Sequence, residues 1–155
     1  MVLWFTGQPG SGKTTLTNRF IDDKLIGFMK IHPVRIVHID GDDLREIVDN
    51  KDYSEQGRRE NISLAMNIAR FMDDKGFIVI ISLVAPYRDL REELKMERNV
   101  REFYLHTTDI RGKEDYFVED YEPPLHNFTD IDTDKLIKVS AYEVLVVYRK
   151  MAAIS

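Results

Sequence analysis

The run Gly7-Gln8-Pro9-Gly10-Ser11-Gly12-Lys13-Thr14 fits the spacing G-x-x-x-x-G-K-[ST], which suits a polyphosphate. Glycines in such a run let the backbone turn tightly, so successive N–H groups and a helix N-terminus converge on the anion. Lys13 would reach the β- and γ-phosphates, and the Thr14 hydroxyl would ligate Mg2+. With Thr15 beside them, residues 7–15 make the expected ATP-binding set, and Lys13 the first catalytic candidate. The competing reading is an ordinary Gly/Pro/Ser turn. The flanks favour the phosphate loop, because Val2-Leu3-Trp4-Phe5 reads as a short buried strand and residues 14–24 as a helix.

A second feature is Asp40-Gly41-Asp42, directly after an apolar strand expected over residues 34–39. One carboxylate there could orient the water shell of a metal and the other accept a proton from an attacking hydroxyl. Asp40 and Thr14 are the candidate metal residues, and Asp42 and Asp40 the candidate bases. Both aspartates can also be read as helix caps. The very apolar run over residues 77–83 passes Ser82 without a carboxylate, which disfavours motor ATPases and switch GTPases and leaves small-molecule or nucleotide kinases. Arg45, Arg58 and Arg59 follow the acidic loop, where a guanidinium could hold an anionic acceptor or simply be solvated. Tyr53 could stack on a base.

These residues need a frame that gathers them. Strands are expected at residues 2–5, 34–39, 77–83, 100–105 and 128–131. Helices are expected near 13–24, 43–49, 56–74, 87–97 and 139–151, with the segment 107–127 irregular. Ile62, Ala65, Met66, Ala69 and Met72 form one apolar stripe, and Tyr142, Leu145 and Val146 read as core. The Glu/Arg-rich stretch 88–101 reads as a solvated helix face with i,i+4 pairs, and the four histidines as structural or surface residues. Strands alternating with helices imply an α/β three-layer sandwich, a mainly parallel sheet with helices on both faces, and the phosphate loop makes the expected fold P-loop kinase-like. Ligands of such sheets bind beyond the strand C-terminal ends, where the phosphate loop, the acidic turn, residues 82–88 and the segment after Leu105 meet.

Composition sets outer limits. A length of 155 residues suits one domain, here residues 1–155, and 43% apolar with 32% charged residues is ordinary for a globular protein. A net charge of -5 argues against a nucleic-acid footprint. No apolar run approaches the ~20 residues of a membrane span. The first strand begins too early to leave room for a signal peptide. The absence of cysteine excludes disulfides and fits a cytoplasmic location.

Taken together, the motifs resemble the adenylylsulfate (APS) kinases. The opening strand with its phosphate loop is similar to theirs, and Ile39-Asp40-Gly41-Asp42-Asp43-Leu44-Arg45 resembles L-D-G-D-N-V-R. Tyr53-Ser54 with Arg58-Arg59-Glu60-Asn61-Ile62 resembles F-S-x-x-D-R-x-E-N-I. Pro86-Tyr87-Arg88 resembles S-P-[YH]-R, and Tyr121-Glu122-Pro123-Pro124 resembles P-Y-E-x-P. The resemblance implies transfer of the ATP γ-phosphoryl group to the 3′-hydroxyl of adenosine 5′-phosphosulfate, with Mg2+, and a possible homodimer. It implies that Arg45, Arg58, Asn61 and Ser82 hold the acceptor, that Tyr53 and Phe117 cover its adenine, and that Arg111 lies against the ATP adenine. Three departures stand out: a lid much shorter than the family's at about residues 107–127, Ala85 where the family has serine, and Asp43 where it has asparagine. The short lid leaves open a kinase acting on another nucleotide, nucleic-acid or small-metabolite hydroxyl, and a nucleotide-sensing module without turnover.

Overall fold

The computed structural model describes residues 1–109 and 112–154. Its frame is a five-stranded sheet in the order β2-β3-β1-β4-β5. The strands are β1 (Val2–Thr6), β2 (Ile36–Asp40), β3 (Ile78–Ser82), β4 (Val100–His106) and β5 (Phe128–Asp132). Every pairing is parallel. The helices are α1 (Lys13–Arg19), which continues as a wider π-helical coil over Phe20–Phe28, then α2 (Gly41–Ile47), α3 (Glu55–Asp74), α4 (Arg88–Glu97) and α5 (Ile137–Ile154).

The side-chain period of two divides the sheet into two cores. Leu3 and Phe5 of β1 pack with Ile80, Phe103 and Leu105 under α1 and α5. Val2 and Trp4 pack with Val79 and Ile81 under α3 and α4. The stripe Ile62, Ala65, Met66 and Ala69 is buried as expected, with Met72 at its edge. Ser54 starts α3 by accepting from the Gly57 amide at 3.2 Å.

The structure differs from expectation where non-local contacts or special backbone decide. Pro33–Arg35 forms a 3-10 turn, so β2 begins at Ile36; the proline ring fixes φ and the Val34 and Arg35 amides bond to His32 instead of a neighbouring strand. On α5 the core positions are Ala141, Val144, Leu145, Tyr148 and Met151, whereas Tyr142 is 59% exposed and Val146 lies at the margin. The expected phase was wrong for those two residues because the helix packs on the sheet along the 141/144/148 row.

The charged stretch 88–101 is a solvated face only in part: Asp89, Glu93 and Glu97 are exposed, and other charges turn inward. Arg91 is wholly buried and donates from Nε to Glu102 Oε1 of β4 at 2.7 Å. Its other nitrogens donate to the carbonyls of Ala85 and Glu122. Lys95 pairs with Glu102 and with Glu92, while Arg70 of α3 reaches across to Glu93 and Glu97. Most of these charges pair between elements; Lys95–Glu92 is a pair along the helix itself. Breaking a buried pair leaves an uncompensated charge. Glu102→Leu should therefore cost about 3 to 5 kcal/mol, read as a lowered urea midpoint by circular dichroism. An unshifted midpoint would show the network to be dispensable.

Candidate active site

Strand β1 ends in Thr6, and the loop of residues 7–12 carries the chain into α1. At Gly7 a Cβ would sit 2.4 Å from the Leu105 carbonyl oxygen, so only glycine fits. Gly12 adopts φ +90° as it opens α1, a conformation that suits glycine. Lys13 Nζ donates to the Gly7 and Gln8 carbonyls, each at 2.9 Å, and sits 3.4 Å from Ser11 Oγ. Burial lowers its ammonium from the ordinary range to about 8, although the Asp42 and Asp40 charges pull the other way. Thr133, just beyond β5, braces the loop by donating to the Ser11 carbonyl at 2.8 Å.

Asp40, at the end of β2, is the hub of the site. Its Oδ2 accepts from Thr14 Oγ1 at 2.6 Å and from Ser82 Oγ at 2.8 Å, and its Oδ1 accepts from the Asp42 amide at 3.0 Å. Asp40 thus caps α2 and also joins the phosphate loop to β2 and β3. Burial works to raise its pKa, but the Thr14, Ser82 and Asp42 donors outweigh it and hold the carboxyl below its ordinary value. His38 lies behind, with Nε2 at 2.8 Å from Ser82 Oγ and 3.3 Å from Thr17 Oγ1. The acidic turn is therefore a helix start, not a loop.

A cleft of about 1190 Å³ opens over these groups. Pro9, Gly10, Gly12, Lys13, Thr14, Thr15, Asp40 and Asp42 line one part. Arg45, Tyr53, Arg58, Asn61, Ser82 and Phe117 line the rest, so the expected nucleotide and acceptor residues share one cavity. Gly7, Gln8 and Ser11 shape the loop from outside that lining. Arg45 stacks 4.3 Å over the Tyr53 ring and donates to the Asn50 and Asp52 carbonyls. Asn61 is buried and donates weakly to the Gly41 carbonyl at 3.5 Å, leaving its Oδ1 without a partner. Arg59 turns aside to Glu55 and Asp89, and Asp43 is an exposed helix-start acid outside the cleft. Arg111 lies outside the described residues. Among the described residues no three His, Cys, Asp or Glu side chains form a metal cluster. The oxygen pair of Thr14 and Asp40 instead suits a hard cation that keeps several waters.

Several contacts were not foreseen. Gln8 Nε2 donates to the Val118 carbonyl at 2.7 Å, and the Val118 amide donates back to Gln8 Oε1 at 2.9 Å. Tyr121 Oη lies 2.6 Å from Thr6 Oγ1, which donates to the Val84 carbonyl at 2.7 Å. Ala85 adopts φ +42°, unusual for a residue with a side chain, and its carbonyl is the one Arg91 holds. Their partners lie too far along the chain for spacing to reveal.

A parallel sheet with a glycine-rich loop after its central strand, facing an acidic strand end across one cleft, defines a P-loop kinase fold. The described helices include none long and apolar enough to cross a membrane. The chain belongs to the adenylylsulphate kinase family, whose model matches residues 1–115. It is 31% identical over 105 residues to a cytidine diphosphoramidate kinase of Campylobacter jejuni, across 67% of this chain and 59% of that protein. It is 34% identical over 140 residues to an adenylyl-sulfate kinase of Pseudomonas entomophila, across 84% and 64% of the two chains. Both matches therefore span less than two thirds of the relative's length. The fold is shared with the Mycobacterium tuberculosis APS kinase CysC in complex with AMPPNP and APS, at TM-score 0.78, 20% identity and 96% coverage of each chain.

Proposed function

We propose that this chain transfers the γ-phosphoryl group of ATP to the 3′-hydroxyl of adenosine 5′-phosphosulfate in the cytoplasm, as a step of sulfate assimilation. The observation that carries the reading is the single cleft, with Lys13 and Thr14 at one part, Arg45, Arg58, Asn61 and Phe117 at another, and Asp42 on the lining they share. Phosphoryl transfer asks little covalent chemistry of a protein; it asks that acceptor and donor be held in line and the developing charge neutralised.

In this reading the loop amides and Lys13 hold the triphosphate. Asp42, whose carboxylate is exposed at the cleft, takes the proton from the attacking hydroxyl. Asp40 is committed to Thr14, Ser82 and the start of α2, so it organises rather than abstracts. Thr14 and Asp40 would hold Mg2+, which when bound neutralises charge on the β- and γ-phosphates. Arg58 and Arg45 offer guanidinium groups to the acceptor's anionic end, and Tyr53 and Phe117 its aromatic cover. Assembly as a homodimer belongs to the same proposal.

A second reading keeps the chemistry and changes the acceptor to another 5′-substituted nucleotide. It is favoured by the short lid and by the similarity to a protein named cytidine diphosphoramidate kinase. Incubation with γ-labelled ATP and a panel of nucleotide acceptors decides between them. The expected result is a kcat/KM for adenosine 5′-phosphosulfate at least about tenfold above the next acceptor, a margin of about 1.4 kcal/mol in transition-state binding. A cytidine nucleotide labelled in preference would replace the first reading with the second.

A further inference from the structure

The phosphate loop carries a side chain that the proposed chemistry does not use. The Gln8 amide exchanges two hydrogen bonds with the backbone of Val118, a residue 110 positions away. Val118 is buried, and the adjacent Phe117 is half exposed and lines the cleft. The next tether of this returning segment is Tyr121, held through Thr6. Gln8 also offers its own carbonyl to Lys13 Nζ at 2.9 Å. One residue therefore touches both the loop lysine and the strip of chain that walls the cleft.

We propose that Gln8 is a positioning residue for the acceptor: its side-chain amide fixes the Phe117–Val118 strip against the phosphate loop, and so sets where the acceptor's base can sit. The inference rests on the reading of Phe117 as acceptor cover. The chemistry requires an amide. It must donate to the Val118 carbonyl and accept from the Val118 N–H together, and neither a carboxylate nor an alkyl group does both. Losing the amide leaves the Val118 N–H unpaired and its carbonyl with only the longer bond from the Tyr121 amide at 3.3 Å, and the strip moves to satisfy them with water.

Two variants and two readouts test this. Gln8→Leu keeps the bulk and removes both bonds. Its acceptor KM should rise about tenfold, with the ATP KM rising less than about threefold, the scale expected for two net hydrogen bonds. Gln8→Glu keeps the acceptor oxygen but donates only when protonated. The ratio of its acceptor KM to the wild-type value should therefore shrink as pH falls from about 8 to about 6, because burial and the facing carbonyl raise that carboxyl. A ratio flat with pH, or equal rises in both KM values, would overturn the proposal. Hydrogen exchange at the Val118 amide gives a test free of the acceptor's identity: faster exchange in Gln8→Leu supports the tether, and unchanged exchange overturns it. Faster exchange alongside a wild-type protein that leaves adenosine 5′-phosphosulfate unlabelled supports the tether while removing the acceptor named above.

Discussion

Replacing Lys13 with alanine should lower kcat by about a thousandfold, the scale seen when one preorganised charge is removed from a transition state. The fold should survive, since among the described residues Lys13 Nζ bonds only within its own loop, to Gly7, Gln8 and Ser11. The same residue predicts a pH dependence, and its sign follows from burial. In the free protein Lys13 is charged below its lowered pKa of about 8 and loses the charge above it. A triphosphate binds the charged form and raises that pKa. ATP affinity should therefore be flat at neutral pH and weaken as pH climbs through about 8, approaching tenfold per pH unit. Calorimetric titration of ATP between about pH 6.5 and 9.5 checks this, with Lys13→Ala as the control that lacks the inflection. An inflection retained in that variant would assign the titration to another group.

The second large effect separates the two aspartates. Asp42→Asn should reduce kcat about a hundredfold, because a positioned base contributes on that scale. The Mg2+ concentration for half-maximal rate should stay near the wild-type value. Asp40→Asn should behave differently. An amide at that position cannot accept from both Thr14 and Ser82 through one oxygen and still receive the Asp42 amide on the other. Its Mg2+ requirement should rise about tenfold or more, the range seen when support around a metal ligand is lost. The opposite pattern, with Asp42→Asn raising the Mg2+ requirement and Asp40→Asn leaving it alone, would exchange the two roles.

The strand, loop and helix around residues 2–19 were legible because the signals that announce them are local, although Leu105, Thr133 and Asp40 complete the loop from elsewhere in the chain. Gly7, Gly12 and Lys13 signal their geometry within a few residues, and the apolar stripe of α3 signals its own period. The layout of the cleft also followed from sequence, since a parallel sheet gathers the ends of β1, β2 and β3 on one rim. What escaped depends on partners distant in the chain. Arg91 reads as one charge among many until β4 brings Glu102 beside it. Gln8 reads only as a member of the ATP-binding loop until Val118 returns to it. Tyr142 and Tyr148 differ only in which row of α5 faces the sheet, and composition cannot decide that. Asp40 was undecided between a cap and a metal residue; one oxygen caps α2, while the other accepts from Thr14 and Ser82, which no spacing rule predicts.

The parallel register sets Trp4 of β1 directly beside Glu102 of β4, and this is the chain's one tryptophan. That indole is sealed within the sheet, 1% exposed, on the face covered by α3 and α4. Its ultraviolet emission is thus an intrinsic gauge of the ionic layer at Arg91 and Glu102. Water reaching that layer would redden the light, even while events at the mouth of the cleft leave it dark to change.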